Sequence, residues 1–124
     1  SNMLENIGKT TAYHTKANVA IGGDIILYNT EEDVCFLSYL LNTYKHRKQI
    51  VKLSQGSTIR HVYPSTFENY EIRIPSSVNE QETITQLFLD IDLEINGLER
   101  KRDKYISIKN GMMQKLLTGE IRLK

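Results

Sequence analysis

The feature that most constrains the fold is a run of 39 residues, from Asn79 to Leu117, that contains no proline. Apolar side chains recur along this run at alternating steps of four and three, which is the heptad spacing of paired helices. We call this set the heptad seam; it comprises Ile84, Phe88, Ile91, Ile95, Leu98, Arg102, Tyr105, Lys109, Met112 and Leu116. A helix of this length extends about 60 Å. An apolar seam needs a second helix to cover it, so the seam predicts a pairing interface.

The ends of the predicted helix carry recognisable signals. Ser77-Val78-Asn79-Glu80 has the pattern of a capping box, and Gly119 suits the left-handed position that follows a helix. Arg102 and Lys109 interrupt the heptad seam, and such interruptions often specify register, orientation or oligomeric state. The alternative to a pairing interface is that the long helix packs along the domain formed by the rest of the same chain. About 75 preceding residues form a body only about 25–30 Å across, which would cover about half of the helix.

The rest of the chain predicts a small mixed domain, so the expected fold class is α+β. We expect that domain over residues 3–76, the long helix over 77–119 and a short tail over 120–124. Residues 3–20 are read as a loop or a frayed strand. A helix is predicted at about 31–48, opened by a capping box at Thr30, and one helical turn at 64–68. Strands are predicted at 25–28, 50–53, 59–63 and 70–74, the last from alternating apolar and charged residues.

The overall charge of the chain does not indicate a nucleic-acid partner. The net charge is +1, and residues 1–78 carry eight Lys/Arg against seven Asp/Glu. A DNA-binding surface must therefore be a local patch. The densest basic cluster is Tyr44-Lys45-His46-Arg47-Lys48, and Arg60-His61 forms a smaller one. A solvated helix end is the alternative for the first cluster, and the sequence alone favours that alternative.

No catalytic, metal or cofactor site is predicted. His14, His46 and His61 are not spaced as metal ligands, so they are expected to be surface or capping histidines. Cys35 is the single cysteine, which excludes an internal disulfide and suits a reducing, cytoplasmic compartment. It lies between apolar neighbours and is expected to be a buried structural thiol. No membrane span, signal peptide, phosphate loop or nucleophile elbow is apparent.

Several motifs resemble the specificity (S) subunits of type I restriction–modification systems. They are Ile74-Pro75, then Asn79-Glu80-Gln81, and the tail from Met112 to Leu123 with its Met-Gln-Lys-Leu-Leu-Thr-Gly segment. The stretch 36–41, followed by Gly56-Ser57 and His61-Val62, is similar to the distal half of a DNA target-recognition domain in that family. The resemblance extends from about Asp33 to the C-terminus.

The resemblance implies a protein that catalyses nothing. Such subunits read two short DNA half-sites, and a pair of long antiparallel helices sets the gap between them. Modification and restriction subunits are the expected partners, and they use S-adenosylmethionine, ATP and magnesium, so no cofactor is expected here. A full S subunit has two recognition domains and two long helices, whereas this chain has one helix and a partial domain. The helix's outer face is a candidate docking surface for the modification subunits; it comprises Glu94, Glu99, Arg100, Asp103 and Lys104.

Two sets of residues are therefore singled out as sites. Candidate contacts to duplex DNA are Lys45, Arg47, Lys48, Lys52, Gln55, Ser57, Thr58, Arg60 and His61, with the cations on phosphates and the polar loop residues on bases. The heptad seam is the candidate pairing interface. Because the family's second helix is missing, two copies of the chain are expected to pair as an antiparallel homodimer. The alternative is a coiled-coil interaction protein with no DNA role.

Overall fold

The computed structural model describes residues 7–54, 61–68 and 70–123, with Thr66 described in its backbone only. It contains four helices in these ranges: α1 is Val34–Leu41, α2 is Tyr44–Leu53, α3 is Pro64–Glu68 and α4 is Val78–Leu117. The chain divides into two units, Ser1–Thr85 and Gln86–Lys124, and α4 begins in the first and continues through the second. No helix in the described ranges is long and apolar enough to cross a membrane.

The predicted single helix at 31–48 is wrong, because the structure has two helices separated at Asn42 and Thr43. The Asn42 amide nitrogen donates to Thr10 O at 2.6 Å and to Ser38 O at 2.8 Å. The Thr43 hydroxyl donates to Leu40 O at 2.7 Å. Asn and Thr side chains that bond nearby carbonyls compete with the helical ladder, and here they end α1.

The start of α1 also differs from the prediction. Asp33, not Thr30, is the N-cap residue, and its carboxylate accepts a hydrogen bond from Phe36 N. The Thr30 hydroxyl instead accepts from Glu32 N at 3.1 Å, in a turn that precedes the helix. The capping pattern therefore located the helix start correctly to within one turn.

The β part of the predicted α+β class is not supported. Residues 50–53 lie in α2, and no strand is present at 25–28 or 70–74 or elsewhere among the described residues. His61 forms an isolated bridge, while residues 59 and 60 of that predicted strand lie outside the described ranges. At 70–74 the alternation itself is present, because Ile72 and Ile74 are half-buried and Arg73 is exposed. Alternating burial makes a strand only when a neighbouring segment completes a ladder.

A small apolar core holds the first unit together. Its buried side chains are Phe36, Leu37 and Leu41 of α1 and Ile50 of α2. Gly8 lies directly over Ile50 in the loop that precedes the helices, with a positive φ of 65°. A Cβ atom at residue 8 would overlap Ile50 Cγ2, so only glycine permits this approach.

The long C-terminal helix is confirmed. Ser77 O accepts hydrogen bonds from Glu80 N at 3.1 Å and Gln81 N at 3.2 Å, which starts the α4 ladder. At its other end Gly119 has a φ of +75°, and Ile121 N donates to Lys115 O at 2.9 Å. Gly119 N also donates to Leu116 O at 3.3 Å, and a left-handed glycine with this hydrogen bond is typical of a Schellman-type end. The helical turn predicted at 64–68 is α3.

Candidate nucleic-acid interface and pairing surface

One face of α2 carries a row of lysines. Lys45, Lys48 and Lys52 are all exposed, and their i, i+3, i+7 spacing places them within an arc of about 60° around the helix. The ten residues of α2 include no Asp or Glu to neutralise them. We call these three residues the α2 lysine face. The opposite side of α2 is buried through His46 and Ile50, so packing of the core holds the lysines outward.

An aromatic residue borders the α2 lysine face. Tyr44 is 79% exposed, and Lys48 Nζ lies 5.6 Å from the centroid of its ring. This cation–π contact restrains both side chains at the first turn of the helix. Arg47 is half-buried and lies outside that arc, so the structure separates it from the lysines with which the sequence grouped it.

His46 belongs to the core, and the prediction of a surface or capping histidine is wrong for it. Its Nδ1 lies 2.6 Å from the Tyr70 hydroxyl, and that hydroxyl donates to Gln49 Oε1 at 2.9 Å. Burial, with a smaller effect of the Lys45 charge, lowers the pKa of His46. The ring is therefore neutral at pH 7 and serves to tie α2 to the segment that contains Tyr70.

The remaining predicted DNA contacts fall into two groups. Gln55, Ser57, Thr58 and Arg60 lie outside the described residues. His61 is exposed, with its Nδ1 3.8 Å from Asp24 Oδ1.

Cys35 is half-buried, with its Sγ 3.9 Å from His14 Nδ1. Burial, assisted by the neighbouring Asp33 carboxylate, raises the pKa of the Cys35 thiol. A thiol that stays protonated at neutral pH is a poor nucleophile. The thiol is half-buried and not buried as expected, and the structural role of Cys35 stays a prediction.

The heptad seam is exposed over most of its length. Ile95 and Leu98 are 48% and 58% exposed, and Ile91, Tyr105 and Met112 are also exposed. Ile84 and Leu116 are half-buried. Arg102, one of the two charged seam residues, donates from Nε and Nη2 to Asp103 Oδ1 at 3.0 and 2.9 Å. The pairing role of the seam stays a prediction.

Sequence reasoning missed a buried polar cluster at the start of α4, which we call the Gln81 cluster. Gln81 is fully buried; its Oε1 accepts from Asp33 N at 3.0 Å, and its Nε2 donates to Pro75 O at 2.9 Å and to the Glu32 carboxylate. The Thr85 hydroxyl donates to Asp33 Oδ1 at 2.7 Å. The sequence does indicate this burial, because Gln81 lies three residues before Ile84 and so extends the heptad spacing by one step.

Comparison with known proteins places these features in context. Residues 5–107 match the family model described as the type I restriction modification DNA specificity domain. The specificity subunit of the type I restriction enzyme MjaVIII from Methanocaldococcus jannaschii is 28% identical over 102 residues. That alignment covers 82% of this chain and 24% of the relative, so the chain spans about a quarter of the relative's length. No solved structure gives a significant match.

Proposed function

Because the chain belongs to the family of type I restriction–modification DNA specificity domains, we propose that it recognises a DNA sequence as part of a non-catalytic specificity subunit. The observation that carries the proposal in this molecule is the α2 lysine face, a row of three exposed cations on a helix without acidic residues. Cations at this spacing suit the phosphates of one DNA strand, which fix the position of a protein on the duplex.

Base recognition is assigned to the residues that follow α2. Gln55, Ser57 and Thr58 offer hydrogen-bond donors and acceptors of the kind that read base edges, and Arg60 and His61 follow them in the sequence. Phosphate contacts from the α2 lysine face would hold this segment against a groove. Substitutions within 55–61 are therefore expected to change sequence preference, and substitutions of the lysines to change affinity for all sequences alike.

We assign to α4 the roles of spacer and subunit contact. Its heptad seam pairs with a second long helix, for which a second copy of the chain is the proposed source. Its outer surface, through Arg100, Asp103 and Lys104 with Glu94 and Glu99 at the edges, is proposed to dock modification subunits in a cytoplasmic complex. Methylation and cleavage, with their cofactors, then belong to the partner subunits.

The experiment that tests DNA recognition is a salt titration of binding to mixed-sequence duplexes, read by fluorescence anisotropy. Affinity falls as salt rises, with a logarithmic slope of about −0.9 per phosphate contact. The Lys45→Ala/Lys48→Ala/Lys52→Ala variant should bind more weakly, with a slope shallower by about 2.7. The matched control is Lys9→Ala/Lys16→Ala/Arg73→Ala, which removes the same charge from exposed positions outside α2.

A second candidate function is a coiled-coil interaction protein with no DNA role, and the exposed heptad seam favours it. The salt titration separates the two functions. Absence of binding to duplex DNA at low salt, or equal losses in the two triple variants, would favour the interaction protein.

A further inference from the structure

Tyr44, the first residue of α2, is the most exposed tyrosine of the chain. It is 79% exposed, whereas the other exposed tyrosines reach at most 60%. A large ring that stays in solvent contributes little to the stability of a core, because the hydrophobic effect scales with the area removed from water. Core packing therefore gives no reason for an aromatic residue at this position.

The break between α1 and α2 fixes where this ring lies. The Thr43 hydroxyl donates to Leu40 O at 2.7 Å, and Arg47 N donates to Thr43 O at 2.9 Å at the start of the α2 ladder. Tyr44 is therefore the first residue inside a hydrogen-bonded helical turn. Its backbone is held by that turn while its side chain projects into solvent.

Tyr44 extends the α2 lysine face by one turn. Tyr44, Lys48 and Lys52 follow one another at steps of four residues. Each step is about 6 Å along the helix axis and about 40° around it, so the three side chains form one slanted row. A ligand that follows Lys52 and Lys48 towards the start of α2 therefore meets Tyr44 next.

The contact between Tyr44 and Lys48 leaves the polar groups of both side chains available. Lys48 Nζ lies 5.6 Å from the centroid of the ring, and a cation–π contact of this kind keeps the charge on the ammonium. No group in the described part of the chain forms a hydrogen bond with the Tyr44 hydroxyl. A neutral donor thus lies beside a cationic one, on a helix that contains no Asp or Glu.

We propose that Tyr44 is a positioning residue for DNA, whose hydroxyl donates to the phosphate backbone at the place where the Lys48 ammonium binds it. The inference rests on the DNA recognition included in the proposed function. It adds a neutral contact that the predicted set of DNA-binding residues does not contain. Tyrosine hydroxyls are among the groups that donate to phosphate oxygens in protein–DNA complexes.

The cation–π contact favours this joint phosphate site. Two side chains that already restrain each other lose less rotamer freedom when a ligand binds them. In the described part of the chain, Lys45 and Lys52 have no such ring contact. The pair of Tyr44 and Lys48 is therefore ordered for binding before the DNA arrives, whereas the other two lysines become ordered on binding.

The first test removes the hydroxyl alone. Tyr44→Phe keeps the ring that Lys48 contacts, and we expect it to bind mixed-sequence duplexes about three- to tenfold more weakly, because one hydrogen bond is lost. The loss should be the same at every salt concentration, since a neutral donor releases no counterions. Lys48→Ala, in contrast, should make the logarithmic salt slope shallower by about 0.9. Fluorescence anisotropy at several salt concentrations measures both quantities.

A second variant distinguishes the hydroxyl from the ring. Tyr44→Leu removes both, while Tyr44→Phe removes only the hydroxyl. If the ring instead stacked on a base, Tyr44→Phe would bind as tightly as the original protein and only Tyr44→Leu would be weakened. That result would overturn the phosphate contact.

A double-mutant cycle tests whether Tyr44 and Lys48 hold the same phosphate. The combination of Tyr44→Phe with Lys48→Met should bind at least about threefold more tightly than the product of the two single losses predicts, since each change disrupts the same site. Lys52→Met is the matched control. Lys52 lies about 12 Å further along α2, so its loss should multiply with that of Tyr44→Phe. Equal coupling in the two cycles, or none in either, would overturn the joint site.

Tyr13→Phe is the control for the loss of a tyrosine hydroxyl. Tyr13 is exposed and lies outside α2, so this variant should bind DNA as tightly as the original protein. Urea midpoints should be equal in Tyr44→Phe and the original protein, because Tyr44 is exposed. Weaker DNA binding at an unchanged midpoint reports a lost contact and not a loss of folded protein.

The outcomes separate this inference from the proposed function. Salt-dependent binding that the triple lysine variant weakens and Tyr44→Phe does not would overturn the tyrosine contact and leave DNA recognition intact. A weaker Tyr44→Phe variant with a changed salt slope would also overturn the neutral contact. A wild-type chain that binds no duplex even at low salt would overturn DNA recognition and the tyrosine contact with it.

Discussion

At the residue scale, two residues outside the candidate DNA-binding set, Gly8 and His46, stabilise the packing of the first unit. Gly8 has a positive φ and contacts the side chain of fully buried Ile50. His46 is a titratable residue that the core keeps neutral through burial and a hydrogen bond to Tyr70. Both act at α2, so both support the helix that carries the α2 lysine face.

Gly8→Ala is expected to lower the free energy of unfolding by about 2–4 kcal/mol. The left-handed backbone costs an L-residue about 1–2 kcal/mol, and the overlap with Ile50 adds a repacking cost of similar size. Urea denaturation followed by circular dichroism measures the change. Gly23→Ala is the control, because residue 23 has no positive φ and open space around it; equal losses in the two variants would refute the proposed cause.

His46 predicts a specific pH dependence of stability. Its pKa in the folded state lies below the value of about 6.5 expected for the unfolded chain. Folding thus favours the neutral form of His46. The contribution of His46 to the free energy of unfolding is fully present above pH 6.5 and is lost as the pH falls towards the folded-state pKa. Urea midpoints measured between pH 7.5 and 5 should fall in the original protein and fall less in His46→Gln. Identical pH profiles for the two proteins would contradict this assignment.

At the element scale, local hydrogen bonds override periodicity. The apolar period in α1 continues into α2, yet Asn42 and Thr43 bond nearby carbonyls and divide the predicted helix. Residues 50–53 have strand-forming composition, yet Ile50 follows His46 at helical spacing and both are buried. A local pattern of apolar residues does not show side chains that compete for backbone carbonyls, and it does not show tertiary burial. The single helix predicted at 31–48 and the strand predicted at 50–53 were wrong for these two reasons.

The Gln81 cluster yields a prediction about how the first two turns of α4 are held within the first unit. Gln81→Leu would remove the partners of Asp33 N, Pro75 O and the Glu32 carboxylate in a buried site. We expect a loss of about 2–4 kcal/mol in the free energy of unfolding, because unsatisfied buried polar groups each cost about 1–3 kcal/mol. Gln86→Leu is the control, since Gln86 is exposed; chemical denaturation that showed equal effects would argue against the cluster.

At the scale of the whole molecule, the long amphipathic helix was the feature best predicted from the sequence, and the candidate DNA-binding surface was the least well predicted. A heptad pattern over many turns depends only on the local sequence, so the existence, ends and exposed seam of α4 follow from it. The cationic surface was predicted only in part. Helical spacing alone places Lys45, Lys48 and Lys52 on one face, but the burial of His46 and the half-burial of Arg47 depend on how α2 packs.

Self-association is expected to depend on the heptad seam. Ile95→Asp or Leu98→Asp would place a charge in the apolar centre of the pair, where an unpaired carboxylate is strongly unfavourable. We expect these variants to be monomeric at micromolar concentration by light scattering. Leu93→Asp is the matched control, because Leu93 is 65% exposed and lies off the seam. Equal dissociation by Leu93→Asp would show that the seam is not the contact.

The carboxylate of Asp33 accepts from both Phe36 N and the Thr85 hydroxyl, so one side chain serves the beginning of α1 and the second turn of α4. Fraying of α1 there would remove the acceptor of the Thr85 hydroxyl, and fraying of α4 would remove a donor to the Asp33 carboxylate. Amide protons in the first turn of α1 and the second turn of α4 should therefore exchange with solvent in a single opening event. Proteolytic nicking near residue 33 and near residue 80 would then share one rate-limiting step.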